Sequence, residues 1–123
     1  MIKETEIPIY NTKVMVIYEE DLSIMEAYCD DTFDNDAGVT IYFDANKLIV
    51  GFRPSMIKQS TITHESVHLS HRIMDNVGIP ASLTNDECEA YLTGFMAHMI
   101  MEMISEEDDR QWCEQRYMKN FMI

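Results

Sequence analysis

Thr61-Ile62-Thr63-His64-Glu65-Ser66-Val67-His68 is the stretch from which the rest of the chain is best read. On a helix, residues four apart leave the same face, so the imidazoles of His64 and His68 reach one metal ion together. Glu65, one position after His64, reaches a water held by that ion and serves as general base. This is the H-E-x-x-H spacing of zinc hydrolases. The same residues also occur as two ordinary histidines on a helix surface, so the flanking sequence has to discriminate.

That flanking sequence predicts a helix with marked ends. Pro54-Ser55 supplies a start, with Ser55 as N-cap, and Gly78-Ile79-Pro80 supplies a stop. Within it, His64, His68, His71 and Asp75 share a polar stripe. Ile62, Leu69 and Ile73 lie nearly opposite, and Met56, Val67, Met74 and Val77 form a third side. Apolar contacts on two sides describe a buried helix facing a polar site, which favours the metal.

A catalytic zinc takes three protein ligands and keeps one position open. His71 stands about 10 Å along the axis from His64, too far to share the ion. A metzincin would need a third histidine at the position of Met74, which excludes that class. The next helix, predicted from about Thr84 to Ile104, carries Glu87 and Glu89 in its first turns. Glu87 lines up with Tyr91, Gly94 and His98 and is flanked by Ala90 and Ala97, small residues that permit close approach. Glu89 projects with Met96, Ile100 and Met103. The stripe therefore favours Glu87 as third ligand over Glu89. Thr84-Asn85-Asp86-Glu87 also reads as a capping box that would occupy the same carboxylate.

Three runs carry a family resemblance: Thr61 to His68, then Met74-Asp-Asn-Val-Gly78-Ile-Pro80, then Asn85-Asp-Glu87-Cys-Glu-Ala90-Tyr91-Leu-Thr-Gly94. Over Thr61 to Gly94 the chain resembles the small zincin-type metallopeptidases encoded by bacteriophages. The resemblance implies a gluzincin layout, in which a glutamate on a following helix completes the zinc site. Two residues and then Ala-Tyr follow that glutamate, a pattern matched by Glu87, Ala90 and Tyr91. It supplies a site more securely than a biological role.

The 123 residues suit one domain, spanning 1–123, with no length for a second lobe, so the cleft is expected to be shallow and open. A net charge of −13 opposes binding to nucleic acid or to anionic membranes; a basic protein or peptide partner suits it better. Cys29, Cys88 and Cys113 are odd in number and widely spaced, which reads as reduced thiols in a cytoplasmic protein, the host cytoplasm if phage-encoded. The first residues lack a signal-peptide pattern, and Tyr91 to Ile104 is too short and too interrupted to span a bilayer. The methionines of that segment read as core filler, since thioethers bind zinc poorly.

Lys13 to Tyr18, Val39 to Phe43 and Leu48 to Phe52 are predicted strands, the last two joined by the turn-forming Asp44-Ala-Asn-Lys47. Asp21 is expected to cap a short helix carrying Leu22, Met25, Tyr28 and Cys29. The acidic run from Asp30 to Asp36 fails the EF-hand template, because counting from Asp34 the fifth position is Gly38 and the twelfth is Ala45, and reads as a solvated loop. Ser105 followed by four acidic residues suits the start of a last helix, docked through Trp112, Tyr117 and Phe121.

The expected fold is α+β, a minimal zincin-like arrangement: a small, partly antiparallel sheet, the histidine helix, a glutamate-bearing helix and a C-terminal helix. The expected chemistry is peptide-bond hydrolysis with zinc on His64, His68 and Glu87 and Glu65 as base. Tyr91, on the face of Glu87, is the first choice for stabilising the tetrahedral intermediate, with His71 and His98 in reserve; a core tyrosine explains Tyr91 equally well. Asp75 either orients a histidine or is an exposed helix-end carboxylate. The rival reading is a zinc-stabilised protein-binding module that hydrolyses nothing.

Overall fold

The computed structural model describes the backbone of residues 1–121 apart from Ile9, Ala45 and Asn85, and side chains as far as Gln115. The chain forms β1 (Ile2–Ile7), β2 (Thr12–Tyr18), a short 3-10 helix (Ser23–Tyr28), β3 (Gly38–Asp44), β4 (Lys47–Phe52), α1 (Gln59–Asn76) and α2 (Asp86–Phe121). The fold is α+β, with a four-stranded mixed sheet in the order β1-β2-β4-β3. β1 and β3 lie antiparallel to their neighbours, whereas β2 and β4 are parallel.

Side chains alternate across the strands, and each set has its own cover. Val14, Val16, Leu48, Val50 and Phe52 point to one face and are fully buried beneath α1 and α2, against Leu69, Ile73, Met96 and Ile100. Met15, Ile17, Ile41 and Ile49 point to the other, where Leu22 and Met25 of the 3-10 helix region close over them. Burying each such side chain contributes about 1.5–3 kcal/mol, so these two faces hold the sheet between its covers. Gly51 lies directly beneath Met25, and a Cβ there would collide with the Met25 thioether.

Several predicted boundaries move, each for a physical reason. β1 is an additional edge strand; its Lys-Glu-Thr-Glu centre hides a period-two pattern in which Thr5 pairs with Val14 and Ile7 with Thr12. α1 starts at Gln59 rather than after Ser55. Arg53 O accepts the N–H groups of Met56 and Ile57 in a turn, and the Ser55 backbone and hydroxyl are taken by the Glu20 carboxylate. Lys58 is extended, and its N–H donates to Thr61 Oγ1 at 3.2 Å, which marks the true start. The stop is where the glycine put it. Gly78 has φ +77°, Ile79 N–H donates to Met74 O at 2.8 Å, and Gly78 N–H donates to Asp75 O at 3.1 Å.

The expected separate C-terminal helix is corrected: α2 runs unbroken through Ser105 and the acidic residues after it. No glycine or proline interrupts that segment, and Arg110 bridges Glu107 and Glu114 at helical spacing. Tyr18 Oη donates to Asp108 Oδ1 at 3.0 Å, pinning the middle of this helix to the sheet. Trp112 is exposed; the expected docking of Tyr117 and Phe121 lies outside the described side chains. The N-cap position of the 3-10 helix is Leu22 and not Asp21, which stands one residue earlier and accepts the Ser23 N–H at 2.9 Å. The hairpin at 44–47 forms, with Asp44 paired to Lys47 and Asp44 Oδ1 accepting the Asn46 N–H at 2.7 Å. None of Cys29, Cys88 and Cys113 is in a disulfide. Among the described residues, no helix is long and apolar enough to cross a membrane.

Candidate functional site

α1 is oriented by what it buries. Ile62, Leu69, Ile73 and Met74 turn into the core, which leaves His64 and His68 exposed on the opposite side. Their rings meet edge to face with centroids 4.9 Å apart, and the two Nε2 atoms are 3.2 Å apart. Two nitrogens bound to one tetrahedral zinc at about 2.0–2.1 Å would be roughly 3.3 Å apart. The pair is thus at metal-chelating separation, a distance that also suits a single N–H···N bond between the rings.

Glu65 differs from its neighbours in being buried, only 5% exposed. Thr40 Oγ1, on β3, donates to Glu65 Oε1 at 3.0 Å. The other carboxylate oxygen, Oε2, is 3.9 Å from His64 Nε2. One oxygen is therefore anchored by the sheet and the other faces the imidazoles. This closeness of strand and helix requires Gly38: a Cβ there would lie 2.7 Å from Thr61 Cγ2 and 3.0 Å from Glu65 Cγ.

Of the two edges of the sheet, β1 and β3, the one beside the histidines is β3. Gly38, Thr40 and Tyr42 share its helix-facing side and, with His64, Glu65, His68 and Arg72, line an open cleft of about 390 Å³. Arg72 sits with its guanidinium 5.3 Å from the centre of the Tyr42 ring. Gly38, Thr40, Tyr42 and Arg72 lie outside the motif that marks the histidines in the sequence. Arg72 was the most accessible of them, since it continues the His64–His68 spacing by another four residues.

On α2 the expected orientation is reversed. Leu92, Met96, Ile100 and Met103 are buried and set the rotation of the helix, bringing Glu89 and Thr93 to α1. Glu89 Oε1 lies 2.7 Å from His71 Nε2, and Thr93 Oγ1 donates to Ser70 Oγ at 3.1 Å. Glu87 is exposed, and the stripe predicted to approach α1 through it faces elsewhere. Nothing comes within 4 Å of a Cβ placed at Gly94, and Tyr91 is 77% exposed. Tyr91 borders a separate apolar hollow with Ile7, Tyr10 and Phe95, away from the histidine cleft. His98 pairs with Glu102 at 3.1 Å, and Asp75 borders another hollow with His71 and Ile79. Among the described residues, no three His, Cys, Asp or Glu side chains form a group able to hold a metal ion. The structure thus brings together His64, His68 and Glu65, but brings neither Glu87 nor Tyr91 to them.

No protein-family model matches the chain, and no curated protein or solved structure matches it.

Proposed function

We propose that this chain is a zinc-dependent hydrolase that cleaves peptide bonds, with His64 and His68 as metal ligands and Glu65 as general base. The observation that carries the proposal is the joint placement of these three side chains: two Nε2 atoms 3.2 Å apart and a buried carboxylate with one oxygen 3.9 Å from that of His64. The donor chemistry suits zinc, since imidazole nitrogens and carboxylate oxygens are its common ligands beside thiolate. A carboxylate from the first turn of α2 would complete the set. The resemblance to phage zincin-type metallopeptidases implies Glu87, while Glu89 reaches α1 at His71 and not at the His64–His68 pair.

Bound zinc would supply a Lewis acid and a water acidified to a pKa of about 7. Glu65 then takes up the proton of the attacking water on Oε2 and returns it to the leaving amine. Thr40 holds Oε1, so the carboxylate keeps one orientation through both transfers. The free edge of β3 lies beside the imidazoles and offers backbone groups to an extended peptide, which can pair with it as a further strand. Tyr91 borders another hollow and is not placed to stabilise a developing oxyanion at this cleft.

The test is Glu65→Gln in zinc-loaded protein against a mixed peptide pool. Cleavage by the wild type, lost in the variant while zinc is retained, supports the proposal. Wild-type protein that holds zinc and cuts no peptide points instead to the zinc-stabilised binding module.

A further inference from the structure

We propose that Arg72 makes the His64–His68 cleft selective for a substrate bearing a carboxylate near the bond to be cut. The inference rests on the hydrolase reading and adds a substrate class to it.

Arg72 follows His68 by four residues, so its base lies about 6 Å further along the axis on the same face. It lines the same cleft. Its guanidinium lies over the ring of Tyr42, 5.3 Å from the centroid, a contact that steadies the cation without occupying its N–H donors. Of the other cations with described side chains, Lys58 stands at the start of α1 outside the cleft, and the rest are engaged. Lys3, Lys13, Lys47 and Arg110 pair with glutamates, and Arg53 donates to three backbone carbonyls. No carboxylate among the described residues pairs with Arg72, although the chain has 22 acidic residues against 9 basic ones. A planar donor group, seated on an aromatic ring beside the proposed reaction centre, is suited to bidentate capture of an incoming carboxylate.

The geometry of β3 specifies where that carboxylate belongs. Thr40 is bonded to Glu65, and Tyr42, two residues on, holds Arg72. Alternate residues of a strand are about 6.6 Å apart. An extended peptide lying along β3 with a carbonyl at Glu65 therefore carries the group meeting Arg72 one or two residues away. Glu65, the one carboxylate lining the cleft among the described residues, would repel an anion placed nearer to it. An aspartate or glutamate side chain and a free C-terminal carboxylate both present the required group.

The test uses the zinc-loaded full chain and three probes: acetyl-Ala-Ala-Leu-Ala-Ala-amide, the same peptide with a free C-terminus, and the amide with one alanine next to leucine replaced by glutamate. Dissociation constants from backbone amide shifts are measured for the wild type, Arg72→Gln and Arg72→Lys, and cleavage is followed separately by mass spectrometry. One or both carboxylate probes should bind the wild type about tenfold more tightly than the neutral amide. Which of them does so identifies the source of the carboxylate. Arg72→Gln should remove the difference and Arg72→Lys keep part of it. Equal binding of all three probes to the wild type, no binding of any, or a preference that survives Arg72→Gln overturns the proposal. Carboxylate preference without cleavage leaves Arg72 as assigned and removes the hydrolase reading; cleavage without preference does the reverse.

Discussion

Thr40 Oγ1 donates to Glu65 Oε1 at 3.0 Å, and this bond ties the edge of the sheet to the helix that carries both imidazoles. Glu65 is buried, so a carboxylate there needs a donor, and a hydroxyl on the neighbouring strand provides it. The bond also determines which oxygen is left to face His64.

Thr40→Val keeps the shape of the side chain and removes that donor. Leaving a buried carboxylate oxygen without its partner costs about 1–3 kcal/mol of stability. With Glu65 as the base, turnover of a peptide pool should fall about tenfold while zinc content stays constant. Urea denaturation, steady-state rates and metal analysis measure the three quantities. Wild-type turnover in the variant would remove Thr40 from the mechanism.

Gly38→Ala tests the close approach of β3 to α1. The new methyl would lie 2.7 Å from Thr61 Cγ2, so strand or helix has to shift. Overpacking of this kind costs about 1–3 kcal/mol, and the shift should also displace Glu65. A denaturation midpoint equal to that of the wild type would show that the gap is wider than described.

Stability should fall in acid through Glu107. Hydrogen bonds from Arg110 and then Gln111 hold its carboxyl at about 2, below its ordinary value of 4.5. The folded state therefore binds this proton less readily than the unfolded chain. Its contribution is complete above about pH 4.5 and is lost as pH falls towards about 2. Tyr18 acts in the opposite sense: burial and its bond to Asp108 push the phenol up to about 12. Its contribution is complete below pH 10 and is lost as pH rises through about 12. Glu107→Gln should flatten the acid limb of a stability–pH curve and Tyr18→Phe the alkaline limb; unchanged limbs would contradict these assignments.

Zinc content of Glu87→Gln beside Glu89→Gln decides the third ligand. A drop of about tenfold or more in zinc affinity in one variant alone identifies its carboxylate. Equal affinity in both and in the wild type would mean that neither serves.

What could be read from the sequence follows from how local its determinants are. The spacing of His64 and His68, the left-handed stop at Gly78 and the turn at Asp44 to Lys47 depend on a few adjacent residues, and all three appear in the structure. The rotation of α2 depends on what the sheet buries, and this is where the sequence reading went astray. Small residues at Ala90, Gly94 and Ala97 suggested a contact face, but Leu92, Met96 and Ile100 had more apolar surface to bury and turned Glu89 inward. Ser55 looked like a cap because its partner, Glu20, is 35 residues away. β1 was missed because charged residues occupy most of its centre, and Thr40 because nothing local marks a strand threonine as the partner of a helix carboxylate.

The most direct measurement is zinc stoichiometry after metal loading and exhaustive dialysis, comparing wild type with His64→Ala and His68→Ala, with circular dichroism to establish that each variant is folded. The account predicts close to one zinc per chain in the wild type and almost none in either folded variant. A wild type that retains no zinc, or folded variants that retain as much as the wild type, would contradict it.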